Sequence, residues 1–381
     1  MTDPQILTNA KLVLPDEVVT GTLAIVEGKI GAIDQGRSNL PAAIDCAGDY
    51  ILPGLVELHT DNLEKHFSPR PRVSWPGVPA ALAHDAQLAA AGITTVFDAV
   101  CLGDLFPNST RVRQLEKMSE AIAHTQMLNV FRAEHHIHLR CELSFDGVVE
   151  LFDEHVDDPL VGLISLMDHT PGQRQFADLS TYREYYQKKY GLNDIEIEDF
   201  ARKQRLAHDQ FSDRHRGEVV AKSHSRRLPI ASHDDATAAH IEEALALGAV
   251  IAEFPTTIEA ARAAHQGGLK VLMGAPNLVL GGSHSGNISA LILAQESLLD
   301  IISSDYVPSS LLQGVFILAG EDVDHGLPDA IRKAAANPAQ AADLTDRGEI
   351  AVHKRADLLR VARCDDVPFV VTSWREGRRM I

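Results

Sequence analysis

Scarcity is the first guide to this chain. Its four cysteines, Cys46, Cys101, Cys141 and Cys364, are scattered and form no Cys-x-x-Cys pair. Neither a zinc ribbon nor a disulfide framework is indicated, and buried reduced thiols are expected. No stretch approaches the roughly 18 uninterrupted apolar residues of a membrane span, and the start, Met1-Thr-Asp-Pro, lacks a signal-peptide core. A cytoplasmic protein with no membrane partner is the expectation. Positive charge is also in short supply, with 35 Lys and Arg against 53 Asp and Glu and a formal charge of −18. That balance argues against nucleic acid as a general partner, although an acidic exterior can still surround a basic pocket.

What is present suits a large core: 381 residues with 45% hydrophobic content accommodate one large domain and one small one. Short β-branched runs predict strands at 51–58, 94–99, 137–143, 162–167, 229–232, 249–254, 270–273 and 300–303, with helical or Ala-rich stretches between most of them. Eight strands in such alternation predict an α/β fold, a (β/α)₈ TIM-type barrel with its active site at the C-terminal strand ends. Strand-like segments at both chain ends predict a small β-sandwich domain from residues 1–50 and 348–381, leaving 51–347 for the catalytic barrel. Residues of about 181–227 read as a helical insertion thin in apolar side chains. That composition suits a cap over the site, a subunit contact in a homo-oligomer, or an ordinary solvated helical pair.

The chemistry collects where apolar runs end. His59 and Asp61 are two apart on a strand-like run, so a strand would place both on one face and let them touch one ion. Imidazole with carboxylate suits Zn²⁺, Mn²⁺ or Fe²⁺ better than Ca²⁺. Glu142, His169, His233 and Asp305 each close a further run, and the repetition makes a metal centre the expectation, with one or two divalent ions, zinc first. On the third barrel strand His136, His138, Arg140 and Glu142 share a face. Charge on that face is costly unless paired or metal-bound, so Glu142 is a candidate ligand or bridge and Arg140 a candidate substrate-anion contact, an ion pair being the alternative. Asp305 could ligate and also take a proton from water as general base, or cap the helix after Pro308.

Pro53-Gly-Leu-Val-Glu-Leu-His59, the strand-end Asp305, Asn337-Pro-Ala339, Asp346-Arg-Gly348 and Lys354-Arg-Ala-Asp-Leu358 resemble the amidohydrolase superfamily. Longer runs narrow the resemblance to the diphosphatases of the carbon–phosphorus lyase pathway, among them Glu57-Leu-His-Thr-Asp-Asn-Leu63, Ser165-Leu-Met-Asp-His169, Ala231-Ser-His-Asp-Asp-Ala-Thr237 and Gly281-Gly-Ser-His-Ser-Gly-Asn287. The resemblance implies a barrel with divalent metals and hydrolysis of a phosphorylated ribose, a 5-triphosphate carrying a 1-phosphonate, to the 5-phosphate and pyrophosphate. Such a substrate needs a basic cradle. Lys65, Arg70 and Arg72 follow the first strand, and Arg174 follows His169. Arg70 and Arg72 suit phosphate contact or an ordinary solvated loop. His284, in its Gly-rich loop, could bind phosphate or replace a ligand, and Glu253 stands where many members have a histidine. The competing activity is cyclic-amide or N-acyl hydrolysis, which would call for a neutral pocket.

Overall fold

Strand-forming runs from the chain ends and from the middle of the chain assemble into two separate sheets of eight strands each. The computed structural model describes residues 4–70, 73–104, 111–174, 182–183, 187, 191, 193–283 and 286–381. The chain begins with β1 (Gln5–Val13), β2 (Val18–Val26), β3 (Lys29–Gln35), β4 (Ile44–Asp45) and β5 (Tyr50–Pro53). The middle supplies β6 (Leu55–Thr60), β7 (Ile93–Leu102), β8 (Glu134–Glu142), β9 (Val161–Met167), β10 (Ile230–His233), β11 (Ile251–Glu253), β12 (Lys270–Gly274) and β13 (Ile301–Ser303). The tail adds β14 (Leu358–Cys364), β15 (Val367–Arg375) and β16 (Arg378–Arg379).

The terminal strands form one mixed sheet in the order β16-β15-β14-β5-β1-β2-β3, with β4 on β1. It has its own core, including Leu12, Leu23, Ile51, Leu358 and Trp374, and is the small β-sandwich domain built from both termini. The middle strands pair in parallel and in sequence order. Their side chains are buried on both faces, which is why these runs are apolar without alternation. A parallel bridge from Thr60 to Asp305 joins the first barrel strand to the eighth. Phe97, Leu163, Ala231, Ile251, Leu272 and Ile301, one from each of six strands, fill the interior. β8 departs from that pattern, since His136 stacks on Phe97 with ring centroids 4.7 Å apart.

The expected strand 51–58 is two strands. β5 pairs with β1 and β14 in the small sheet, whereas β6 pairs with β7 in the barrel. Gly54 turns the chain between them, and a Cβ there would lie 2.2 Å from Thr94 Oγ1. The helical region ahead of β10 is dominated by a helix at Asp194–Ser225, opened by an Asn193–Glu196 capping box. Its Val219 and Val220 belong to the main core, so its C-terminal part is the helix that connects β9 to β10. His208 meets Asp168, at the C-terminal end of β9, at 2.6 Å. The part of the helix that precedes this contact is about 20 Å long. No helix among the described residues is long and apolar enough to cross a membrane.

Candidate metal and catalytic centre

The seam that closes the barrel organises the centre. Asp305 N donates to His59 O at 3.1 Å, Asp61 N donates to Asp305 O at 2.9 Å, and Thr60 Oγ1 donates to Asp305 O at 2.8 Å. Beneath them Glu57, fully buried, accepts from His59 N at 2.8 Å and from Ser304 N at 2.5 Å. Burial pushes Glu57 up to about 7 although these N–H donors oppose it. The register of β6 against β7 shifts between Glu57 and Thr60, a local irregularity of the kind that re-aims side chains at barrel rims. One ligand atom from each of His59, Asp61 and Asp305 lies within 4.8 Å of the others.

A second group adjoins the first. One ligand atom from each of His169, His233 and Asp234 also lies within 4.8 Å of the others. Asp234 Oδ2 is 3.8 Å from His169 Nε2 and 3.5 Å from His233 Nε2. Glu253 joins the two groups, taking His59 Nδ1 on Oε1 and His233 Nδ1 on Oε2, each at 2.7 Å. Donation from both Nδ1 atoms leaves both Nε2 lone pairs directed at the carboxylates, the arrangement in which a carboxylate orients a metal-binding imidazole. Glu142 holds His169 the same way, with Oε2 2.6 Å from Nδ1 and Oε1 accepting from Ser144 Oγ at 2.9 Å. His138 is turned to Leu58 O and Ser165 Oγ.

The electrostatics fit a cation. Burial would lower His59 and His169, yet the Glu253 and Glu142 carboxylates outweigh it and raise both. Burial would raise Asp61 and Glu253, yet Arg140 holds Asp61, and His59 with His233 holds Glu253, well below the usual carboxylate range. Ionised carboxylates facing imidazole nitrogens form a nitrogen and oxygen donor set suited to a divalent transition metal. Asp234 and Asp305 have φ of 56° and 53°, a left-handed conformation that Asp tolerates better than most residues. It breaks the two-residue side-chain alternation of a strand, which is how adjacent His233 and Asp234 reach the same point.

The expected basic residues fall in different places. Arg140, buried, donates from Nη1 to Asp61 Oδ1 at 2.7 Å, and its Nε has no hydrogen-bond partner among the described residues. Lys65, exposed, donates to the Tyr306 carbonyl and lies 5.4 Å from the Tyr306 ring centroid. Arg70 is exposed beyond the end of the helix Asn62–Phe67 that carries Lys65. Arg174 is buried between the Asp235 and Glu243 carboxylates, so its guanidinium is already committed to ion pairs. Arg72 and His284 lie outside the described residues. Residues that sequence reasoning passed over include Glu57, Asp234, Ser165 and Arg111, the last paired with Glu64 Oε2 at 3.2 Å. The doubled acid after His233 was the visible signal for Asp234.

A parallel barrel with this donor set at its C-terminal mouth, joined to a sheet from both chain ends, has the fold of the amidohydrolases. Solved structures share the fold: N-acetyl-D-glucosamine-6-phosphate deacetylase from Mycobacterium smegmatis has 15% identity and a TM-score of 0.61 over 99% of this chain and 100% of that one. An amidohydrolase has 15% identity and a TM-score of 0.62 over 99% of this chain and 98% of that one. No family model matches. At the sequence level the chain is 50% identical over 376 residues, 98% of its length and 100% of the relative's, to α-D-ribose 1-methylphosphonate 5-triphosphate diphosphatase of Escherichia coli (strain K12). The chain belongs to this diphosphatase family and is an enzyme.

Proposed function

We propose that the chain hydrolyses α-D-ribose 1-methylphosphonate 5-triphosphate to the 5-phosphate and pyrophosphate, by attack of water on the α-phosphorus, in phosphonate catabolism. The observation that carries this reading is the 50% identity across the full length of a relative with that name; the donor groups at the barrel seam supply the chemistry it needs. His59, Asp61 and Asp305 would hold one divalent ion, and His169, His233 and Asp234 a second, zinc first among the candidates. Such ions supply Lewis acidity toward phosphoryl oxygens and make water easier to deprotonate.

This chain's own residues do the remaining work. Glu253 and Glu142 fix the three imidazoles in the tautomer with Nε2 unprotonated. The Asp305 carboxylate accepts the proton of the attacking water, so no free hydroxide is required. Arg140, held by its bond to Asp61, supplies positive charge toward a phosphoryl oxygen as negative charge builds on it. Lys65 and Arg70, with Arg72 two residues further on and His284 in its Gly-rich sequence, are the candidates for the outer phosphates. Arg174 serves instead to hold the loop after β9 against Asp235 and Glu243.

Phosphorus NMR of the purified enzyme with this triphosphate should show equal release of pyrophosphate and the 5-phosphate. Release of orthophosphate alone, or turnover confined to N-acyl substrates, would refute the proposal. Arg70→Ala combined with Arg72→Ala should lower kcat/KM for the triphosphate by about ten-fold or more with metal content unchanged.

A further inference from the structure

Outside the centre, a set of buried ionisable groups lies on the outer face of the second and third barrel strands. Asp98 on β7 and His135 on β8 point away from the interior, since their neighbours Phe97 and His136 stack inside it. They meet His84 and Asp85 from the helix Gly77–Ala91, and all four are essentially inaccessible to solvent. Asp98 takes His84 Nε2 on one oxygen and His135 Nδ1 on the other, each at 2.7 Å. Asp85 lies 3.5 Å from His135 Nε2 and accepts from the backbone N–H groups of Arg132 and Ala133, each at 2.9 Å, and from Arg132 Nη1 at 3.0 Å.

The far end of the network reaches Asn62. Its amide Nδ2 is 2.9 Å from both His84 Nδ1 and Gln87 Oε1. An amide nitrogen can only donate, so His84 Nδ1 must accept, and the His84 proton sits on Nε2 and points at Asp98. Polarity is thereby assigned along the whole chain of contacts: Arg132 and His135 are cationic, Asp85 and Asp98 anionic, His84 neutral. Charges cancel, which is the condition under which such a network can be buried. Asn62 follows Asp61 directly and opens the helix Asn62–Phe67. With Asp61 N bonded to Asp305 O and the Asn62 side chain anchored, the backbone on either side of Asp61 is fixed.

We propose that Arg132, Asp85, His135, Asp98 and His84 form a positioning relay that holds the Asn62 carboxamide in one orientation and through it sets the Asp61 carboxylate in the metal centre. This rests on the proposed reading of Asp61 as a metal ligand. His84 and Asn62 are positioning residues, since neither enters the donor groups of the centre, and in the separate His84, Asp98 and His135 group both imidazoles are hydrogen-bonded to Asp98.

The test is Zn²⁺ affinity of the full chain, by competition with a chelator, in His84→Leu, His84→Gln, Asn62→Ala and Asp61→Ala, with circular dichroism to verify folding. A glutamine at 84 can accept from Asn62 and donate to Asp98, whereas leucine can do neither. His84→Leu and Asn62→Ala should weaken Zn²⁺ by about ten-fold or more, the usual scale for groups that orient a ligand, while His84→Gln stays near wild type. Wild-type affinity in both His84→Leu and Asn62→Ala, or equal loss in His84→Leu and His84→Gln, would overturn the relay. Loss in Asp61→Ala alone rejects the relay and leaves the ligand assignment standing, whereas no loss in Asp61→Ala rejects both. If His84→Leu does not fold, Asn62→Ala, which adds no volume, decides the matter.

Discussion

Individual side chains here act through the atoms they leave free. Glu253 occupies the Nδ1 atoms of two histidines and so directs two Nε2 atoms toward Asp61 and Asp234. Both of its oxygens are engaged with imidazoles, so it orients His59 and His233. Asp305, like Asp61, has its backbone bonded into the seam and its side chain in the first donor group. Asp305→Asn keeps the size and the backbone bonds but removes the proton acceptor. It should lower kcat by about 10² to 10⁴ with little change in KM and the thermal midpoint nearly unchanged. Turnover close to wild type would assign proton transfer to another group.

At the scale of elements, the junction between the two sheets depends on one close approach. Gly54 lets β5 end in the small sheet and β6 begin in the barrel without a gap, and the three atoms nearest its absent Cβ all belong to Thr94, itself fully buried. Gly54→Ala should therefore destabilise the fold by about 1–3 kcal/mol, read as a lower urea midpoint at unchanged slope. Adding Thr94→Ala removes the crowding atoms Oγ1 and Cγ2 and should recover part of the loss. A double variant no more stable than Gly54→Ala would place the cost in the backbone instead. Periodicity could not reveal this boundary, because both halves of 51–58 are apolar and buried. The long helix shows the same limit. Its polar composition suited a cap, a subunit contact or a solvated helical pair, while Val219 and Val220 near its end pack in the main core.

For the molecule as a whole, the outer-face network ties stability to pH. Burial alone would lower His135, but Asp98 and Asp85 outweigh it and raise it to about 9 from an ordinary 6.5. The folded state then binds more protons than the unfolded chain between those values, so stability falls as pH rises. The contribution is fully present below pH 6.5 and lost as pH passes about 9, amounting to about 3 kcal/mol. His135→Gln, which has no titrating proton, should flatten that part of the urea-stability profile. Parallel profiles in the two proteins would show that His135 does not carry the dependence.

What the sequence determined by itself was the periodic and the additive. Runs of β-branched residues separated by helical stretches specify parallel strands whatever their partners, and polar residues that end apolar runs must come to the open end of a barrel. The placement of His59, Asp61, His169, His233 and Asp305 at strand ends was legible for that reason, as was that of Arg140 on the face it shares with Glu142. The tertiary structure alone decided which nitrogen each histidine offers, because the tautomer depends on partners almost 200 residues away, as with His59 and Glu253. It also decided that Asp234 joins His233 through a left-handed turn and that Arg174 spends its charge on Asp235 and Glu243. Charge and residue type are properties of a chain, but the free lone pair and the unspent donor are what remain after every neighbour has been satisfied, and only folding supplies the neighbours.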